Sequence, residues 1–186
     1  MIPLRIFAAL TAWLWAASVT ASDWVMDPGA SSLTFVASYQ GQAAPGRFRD
    51  IETRLDFDPQ HPDQGHLHVS VSMASADMDS ADINGTIRAS EWFDVARYPR
   101  AEFDSTRIVR KRPGHYVAQG RLALKGVARE VAVPFTWNAS GSTATMAGQL
   151  DLDRSAFNIG TGEWATGRTI GLEVKVRFSL NLRKAD

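Results

Sequence analysis

Three of the four histidines lie close together and are the residues best suited to metal chemistry. His66 and His68 are two positions apart, and His61 precedes them. In an extended strand this spacing presents two imidazoles on one face, and imidazole is a common ligand of zinc. Both histidines, however, fall on the polar parity of their strand, and no further ligand set accompanies them. The sequence therefore favours no metal site and keeps metal binding by these histidines as a minor alternative.

Other patterns typical of catalysis are weak or absent. Residues 160–165 (GTGEWA) match the letters of a dinucleotide-binding glycine motif. That motif needs a preceding strand and a following helix, whereas a strand-like segment follows here, so the run predicts a glycine-rich turn. Asp151 and Asp153 share the wet face of one strand and form no acid/base pair with a buried partner. The chain has no cysteine, which excludes a thiol nucleophile. We expect no catalytic residues, no cofactor and no enzyme activity.

The charge balance limits the classes of partner. The 186 residues include 20 basic and 20 acidic side chains, for a formal net charge of zero. This balance argues against a broad basic surface for nucleic acid, and it provides no strong attraction to anionic membranes. The length suits a single domain, and no internal repeat or linker divides the chain. We therefore expect one domain that does not bind nucleic acid.

The first residues have the layout of an export signal. Arg5 is followed by an apolar stretch from Ile6 to Ala17 and then by small or β-branched residues that end at Ala21. This order is typical of a secretory signal peptide. The alternative is a membrane anchor, but the apolar run is shorter than the roughly 20 residues that span a bilayer. We expect residues 1–21 to be a cleaved signal peptide, residues 22–186 to be the mature domain, and a periplasmic location in a bacterium.

Period-two alternation of apolar and polar residues dominates the rest of the chain. This pattern is typical of strands with one dry face and one wet face. Its clearest example places six apolar residues on one parity of the last segment, namely Leu172, Val174, Val176, Phe178, Leu180 and Leu182. Similar runs predict about eight strands, and Lys125-Gly126 predicts a tight hairpin between two of them. A meander of this kind closes into a barrel that has no exposed edges.

One region departs from the alternation. Between Ser80 and Val95 the apolar residues recur nearer to helical spacing. Asp79 or Ser80 could cap a short helix and Ser90 a second one, before the dipeptide Tyr98-Pro99 ends helical structure. We therefore expect a short helical excursion at about residues 79–96 that packs over one end of the barrel.

The interior of an eight-stranded barrel lies near a threshold. It can be filled by side chains or can hold one small ligand. Small residues such as Ala37 and Gly148 on apolar parities, and flexible Met73 and Met146, provide room and an adaptable lining. The same side chains could equally form a filled core, so periodicity alone leaves the two possibilities open.

Four segments resemble the YceI-like family, in the family's order and over nearly the whole mature chain. Residues 46–58 resemble its "G-x-F…L-x-F-D" opening, and residues 90–105 its "F-x-x-x-x-Y-P-x-A-x-F-x-S" segment. Residues 120–134 resemble its "G-x-L-x-L-x-G-V-x-x-x-V-x-x-P" hairpin, and residues 154–160 its "R-S-x-F-x-I-G" segment. The resemblance implies an all-β, eight-stranded antiparallel, lipocalin-like barrel in the periplasm.

The resemblance also implies a ligand. Members of the family bind isoprenoid lipids, such as polyisoprenoids or the tails of isoprenoid quinones, in an elongated apolar cavity, without catalysis. We therefore expect this protein to bind, store or carry such a lipid. The predicted lining residues are Leu33, Phe35, Phe48, Leu55, Phe57, Val69, Val71, Met73, Trp92, Phe93, Phe103, Trp137, Met146, Leu150, Phe157 and Trp164.

Several points stay open at this stage. Arg154 could support the fold by pairing with Asp151 or Asp153, which is the favoured interpretation, or it could contact a lipid headgroup. A transient contact with a membrane or a membrane redox protein is compatible with the sequence, as is either a monomer or a homodimer. The alternative functions are a partner-binding or stress-related structural module with a filled barrel, and an enzyme acting on a small apolar substrate.

Overall fold

A computed structural model describes residues 23–185, which form eleven β-strands and one α-helix. The predicted signal peptide, residues 1–21, lies outside the described residues. The helix α1 spans Ala81–Arg88. The strands are β1 (Asp23–Met26), β2 (Ser32–Tyr39), β3 (Gln42–Phe48), β4 (Ile51–Asp56), β5 (His66–Ser72), β6 (Ala76–Asp77), β7 (Arg100–Arg112), β8 (His115–Leu124), β9 (Val127–Ser140), β10 (Thr143–Asp153) and β11 (Glu173–Lys184).

These segments make eight barrel strands. β1 and β2 run in succession along β11, so they are two parts of one interrupted strand. β3 pairs with β2 and β4 pairs with β1, so β3 and β4 are two parts of the second barrel strand. β6 pairs with β3 and β5 pairs with β4, so β5 and β6 are two parts of the third. β7 pairs antiparallel with β5, each strand from β8 to β11 pairs antiparallel with the one before it, and β11 closes the ring on β1 and β2. The predicted closed, eight-stranded antiparallel barrel is confirmed.

Alternation along the strands directs the apolar side chains inward. In β9, Val133, Phe135 and Trp137 are buried, whereas the intervening Pro134 and Thr136 are exposed. Because successive side chains of a strand point to opposite faces, one parity fills the barrel and the other meets solvent. The sequence pattern therefore determines which residues can reach the interior.

The β8–β9 turn and the helix form for local reasons. Lys125 and Gly126 both have positive φ, at 48° and 75°, as a two-residue type I′ hairpin turn requires. At the start of α1, Ser80 caps the helix by accepting a hydrogen bond from the Ile83 N–H. Asp79 lies before the helix with a φ of 56° and is not the cap.

The second helix predicted after Ser90 does not form. Residues 90–97 are turns instead, and Asp94 adopts a φ of 50°, which interrupts any helical run. The helical excursion thus consists of one short helix followed by turns, up to Pro99. None of the helices in residues 23–185 is long and apolar enough to cross a membrane.

Candidate functional site

A cavity with an entirely apolar wall lies inside the barrel. Its volume is about 140 Å³. Nearly all the strands contribute to it, since the wall is formed by Leu33, Ile51, Leu67, Val69, Val71, Ala101, Phe103, Leu122, Val131, Val133, Met146, Leu150, Leu152, Val176, Phe178 and Leu180. Glu102 also borders the cavity, but its side chain is exposed on the outer face of β7. Such a wall can hold hydrocarbon and offers it no polar partner.

One end of the barrel is closed by a cluster of buried side chains, which we call the plug. The plug consists of the members of this cluster that do not line the cavity, among them Trp24, Leu55, Phe57, Tyr116, Phe135 and Trp137. Phe57 is fully buried, and its ring contacts those of Tyr116, Phe135 and Trp137 with centroids 4.9–5.8 Å apart. The indole N–H of Trp24 donates to the Phe57 carbonyl at 3.0 Å. The plug therefore closes this end by packing within the barrel itself.

The opposite end is closed by two connections, which we call the cap. One is the helical excursion, residues 78–99, and the other is the β10–β11 connection, residues 154–172. Their buried side chains form a second cluster with the first residue of β6, made of Ala76, Ile87, Trp92, Phe157 and Ile159. Leu122 and Leu152 pack against this cluster and also line the cavity. The cap is therefore the roof of the cavity.

Arg154 holds the β10–β11 connection together. Its side chain is 3% exposed, and its guanidinium lies over the Trp92 ring, 5.3 Å from the centroid. Its N–H groups donate to five backbone carbonyls at 2.6–3.0 Å. These acceptors belong to Ile159, Gly160, Trp164, Ile170 and Gly171. Because an arginine has five N–H donors, each one is used within the cap.

Arg154 was expected to pair with a neighbouring carboxylate, and the contacts differ. The Asp153 carboxylate accepts instead from the backbone and hydroxyl of Ser155, and Asp151 lies 3.7 Å from Lys175. Burial lowers the pKa of the Arg154 guanidinium, and the nearby Asp153 charge partly offsets that effect. Arg154 thus organises the loop through main-chain carbonyls, and a headgroup could contact it only by displacing one of them.

Glu91 joins the two connections of the cap. Its backbone carbonyl accepts hydrogen bonds from the N–H groups of Gly160 and Thr161, at 2.8 and 3.0 Å. Its carboxylate accepts from the indole N–H of Trp164 at 3.1 Å. The glycine-rich run, residues 160–165, therefore turns at Gly160 and Thr161, and its residues Gly162–Trp164 form a short 3-10 helix that was not predicted.

Asp77 anchors the start of the excursion to the barrel. Its carboxylate accepts from the side chains of Asn84 in α1 at 3.0 Å, Arg47 in β3 at 3.3 Å and Arg49 at 2.9 Å. The hydrogen bonds from Asn84, from the Asp79 N–H and from Arg49 hold the pKa of Asp77 well below its usual range. The cap is thus tied to the barrel by charge as well as by packing.

The sixteen predicted lining residues fall in different parts of the molecule. Six line the cavity, namely Leu33, Val69, Val71, Phe103, Met146 and Leu150. Leu55, Phe57 and Trp137 lie in the plug, whereas Phe48, Trp92, Phe93, Phe157 and Trp164 lie in the cap cluster or pack against it. Phe35 is buried with its ring over Gly46, and Met73 is buried in a 3-10 turn between β5 and β6.

Ten further apolar residues of the wall were not singled out from the sequence. They are Ile51, Leu67, Ala101, Leu122, Val131, Val133, Leu152, Val176, Phe178 and Leu180. Most of them stand on the apolar parity of their strands, and this alternation is the sequence pattern that could have identified them as inward-facing. Parity shows that a side chain points inward, but it does not show how far along the barrel axis it lies.

The histidines lie on the outer surface of the barrel. His68 Nδ1 is 3.1 Å and His66 Nε2 is 3.5 Å from the same oxygen of Asp104, and His61 is 2.9 Å from Asp58. Within residues 23–185, no group of three or more histidine or acidic side chains is arranged to hold a metal ion. These side chains are paired with carboxylates outside the cavity.

Comparison with known proteins gives a consistent family signal. A family model described as a YceI-like domain matches residues 24–182. A UPF0312 protein of Pseudomonas savastanoi is 29% identical over 182 residues, which cover 92% of this chain and 93% of that protein. A UPF0312 protein of Photorhabdus laumondii is 34% identical over 86 residues, which cover 46% of this chain and 44% of that protein. The similarity to the second relative thus spans less than half of its length.

Two solved structures share the fold. The crystal structure of Burkholderia cenocepacia BcnA matches with a TM-score of 0.82 at 33% identity, over 84% of this chain and 98% of that one. A domain from Saccharophagus degradans, described as a polyisoprenoid binding domain implicated in plant cell wall breakdown, matches with a TM-score of 0.71. That match covers 87% of this chain and 98% of the domain at 16% identity, so it shows the fold alone.

Proposed function

The chain belongs to the YceI-like family, and from that membership we propose that its barrel binds a long isoprenoid lipid, which it stores or carries. The isoprenoid is a polyisoprenoid or the tail of an isoprenoid quinone. The observation that carries the proposal is the cavity between plug and cap, whose wall is entirely apolar. Branched hydrocarbon is the class of ligand that gains most from such a wall, since it has no polar group to leave unpaired there.

The size of the cavity defines how such a lipid would be held. An apolar cavity of about 150 Å³ in another protein accepts a benzene ring. By that standard, the volume of about 140 Å³ takes about one isoprene unit. The remainder of a longer tail must displace flexible wall side chains such as Met146, or leave the barrel through the cap. Tail length should therefore affect affinity less than the shape of the first units.

The energy of transfer supports the same expectation. Burying each CH₂ from water gains about 0.8 kcal/mol, but an isoprenoid lipid starts in a membrane, where its tail already avoids water. The net gain on entering the protein is much smaller than the gain from water. Selectivity then depends on the fit to the branched wall and on contacts with the headgroup.

Binding is favoured over catalysis because the wall lacks reactive groups. Among the residues that border the cavity, Glu102 alone is ionisable, and its side chain lies on the outer face. General acid/base or nucleophilic chemistry would need a polar side chain within reach of the ligand. We further propose export to the periplasm, on the basis of the signal-like residues 1–21. Cleavage after Ala21 would be detected as the intact mass of the exported protein.

A pair of adjacent substitutions in β9 tests lipid binding. Val131 lines the cavity, whereas the next residue, Ala132, is exposed on the outer face. Val131→Phe should fill part of the cavity and lower affinity for a farnesyl-substituted benzoquinone at least about tenfold, a loss of about 1.4 kcal/mol. Ala132→Phe adds the same ring to the same strand and should leave affinity unchanged. Partition of the probe between protein and phosphatidylcholine vesicles would measure both values.

Two results would contradict the proposal. One is equal affinity of the wild-type protein and a correctly folded Val131→Phe variant, because the ligand would then lie outside the cavity. The other is an absence of binding by the wild-type protein. Near-ultraviolet circular dichroism and the unfolding midpoint would establish that each variant keeps the native packing.

A further inference from the structure

The cap contains a buried hydrogen-bond donor without a partner. Trp92 is 7% exposed, and its Nε1 atom is fully buried with no acceptor among residues 23–185. An unpaired buried donor costs about 1–3 kcal/mol, so native structures rarely keep one without a reason. The Trp92 ring is not one of the residues that line the cavity; it belongs to the cap cluster, against which the wall residues Leu122 and Leu152 pack.

Trp137 provides an internal comparison, because its Nε1 is also buried without an oxygen or nitrogen partner. Trp137 lies in the plug between two aromatic rings. The Trp24 ring is 5.0 Å away at 81° and the Phe57 ring is 4.9 Å away at 68°, both in edge-to-face arrangements. An N–H that points at an aromatic face is partly compensated. Trp92 has a different setting, since Trp164 is tilted at 50° and 5.8 Å away and the Arg154 cation lies over the Trp92 ring.

Arg154, the buried arginine of the cap, is committed to backbone carbonyls, whereas Arg88, Arg97 and Arg168 are exposed. All five N–H groups of Arg154 are used, the Lys125 ammonium donates to the Asn158 carbonyl, and the Arg129 Nε donates to the Ala156 carbonyl. A phosphate brought under this roof would lose its hydration without gaining a free cationic partner. An uncharged oxygen needs only one donor.

On the basis of the proposed function, we propose that Trp92 Nε1–H receives the oxygen of the ligand's head, which reaches it from the cap end of the cavity by displacing the wall side chains Leu122 and Leu152. The ligand class is then an isoprenoid whose head carries a neutral carbonyl or hydroxyl acceptor. The tail lies along the apolar wall toward the plug. Trp92 distinguishes such a ligand from a bare hydrocarbon, and the lack of an unused donor on the buried Arg154 disfavours a prenyl phosphate.

The test compares three probes that share one tail but differ at the head. The probes are a farnesyl-substituted benzoquinone, farnesene as the bare hydrocarbon, and farnesyl phosphate. Each probe is partitioned between phosphatidylcholine vesicles and the wild-type protein, Trp92→Phe or Trp137→Phe. Both substitutions remove one buried indole N–H and keep an aromatic ring, so Trp137→Phe is the matched control.

The expected result is selective. Trp92→Phe should lower affinity for the quinone about 3- to 10-fold, the range that one hydrogen bond supplies, and leave affinity for farnesene unchanged. Trp137→Phe should lower neither. In the wild-type protein, the indole N–H resonance that Trp92→Phe removes should shift on addition of the quinone, whereas the Trp137 resonance stays in place.

The outcomes separate this inference from the function it rests on. Equal quinone affinity of the wild-type protein and Trp92→Phe, equal losses for quinone and farnesene, or tightest binding of farnesyl phosphate would each overturn the role of Trp92. Farnesene binding would continue in all three cases, and the lipid-binding proposal would stand. If the wild-type protein bound none of the probes, the proposed function itself would fail.

Discussion

The plug and the cap close the two ends of the same barrel by different interactions. In the plug, side chains of alternating parity pack against each other, with the fully buried Phe57 at the centre. In the cap, two connections are held by polar contacts to the main chain, from Arg154 to five carbonyls and from the carbonyl of Glu91 to two N–H groups. One end is the larger hydrophobic cluster, and the other is a smaller cluster under two loops that hydrogen bonds join.

This difference has a consequence for access to the cavity. Opening the plug would expose several aromatic side chains, each contributing about 1.5–3 kcal/mol by its burial. Opening the cap would exchange protein hydrogen bonds for bonds to water, which are nearly equivalent in energy once solvated, and would expose a smaller apolar cluster whose large aromatic members are Trp92 and Phe157. The cap is therefore the end through which we expect a lipid to enter, and the plug is the end that maintains the barrel.

The largest effect on stability should come from the plug. Phe57→Ala removes the ring that contacts Tyr116, Phe135 and Trp137, and we expect the free energy of unfolding to fall by about 3–5 kcal/mol. Denaturant titration measures this loss. The lipid preference of the variant that remains folded should be unchanged, because the ring lies away from the roof. A loss below about 1 kcal/mol would mean that the plug is not the main core.

The next largest effect should come from Arg154. Arg154→Met keeps a long side chain but leaves five carbonyls without their donor, so we expect a loss of about 2–4 kcal/mol. Unlike Phe57→Ala, this change should loosen one end only. Hydrogen exchange of the Gly160 and Thr161 amides should accelerate more than that of amides in β9. Uniform acceleration across the barrel would remove the distinction between plug and cap.

Alanine substitutions at two glycines compare the cap with an ordinary hairpin turn. Gly160 and Gly141 both have positive φ, at 72° and 61°, so alanine is strained at either position by about 1 kcal/mol. A Cβ at Gly160 would also overlap Arg154 Nη1, whereas nothing lies within 4 Å of a Cβ at Gly141. We expect losses of about 2–3 kcal/mol for Gly160→Ala and about 1 kcal/mol for Gly141→Ala. Equal losses of unfolding free energy in the two titrations would show that the Arg154 guanidinium moves away from a Cβ at residue 160 without cost, and would contradict its fixed position in the cap.

The smallest effect should depend on pH and concerns the anchor of the cap at Asp77. The folded-state pKa of Asp77 is lowered, so its contribution is present above the unfolded pKa of about 4 and is lost as pH falls through the lower folded value. Asp77→Asn should therefore be less stable than the wild-type protein at neutral pH, and the difference should shrink below about pH 4. A difference that grows as the pH is lowered would contradict the role of the carboxylate.

The plug and barrel could be predicted from the sequence because they follow a period. Alternation in β9 and β11 identifies inward residues such as Phe135 and Leu180, and the Lys125-Gly126 turn has local chemistry that the sequence shows. The helix capped by Ser80 was also predictable. The absence of the second helix was not predictable, because it depends on the left-handed conformation of Asp94 and no local propensity rule requires that conformation.

The cavity wall and the contacts of the cap were only partly predictable. Phe57 and Leu150 stand on equally apolar parities, yet one is in the plug and the other lines the cavity. Their height along the axis depends on strand register, which the pairing of distant segments fixes. The partners of Arg154 were not visible because carbonyl acceptors carry no side-chain signature. The fold thus follows from local patterns, whereas the site follows from register and loop geometry.

The most direct test of the central claim is chemical. The full-length protein would be expressed in a bacterium and purified without detergent, and its bound lipids would be extracted and identified by mass spectrometry. Val131→Phe would be treated in parallel as the filled-cavity variant and Ala132→Phe as the outer-face control. We expect an isoprenoid in about equal amount with the wild-type protein and Ala132→Phe, and much less with Val131→Phe. Wild-type protein that carries no isoprenoid, or equal amounts in all three, would contradict a lipid held in the barrel.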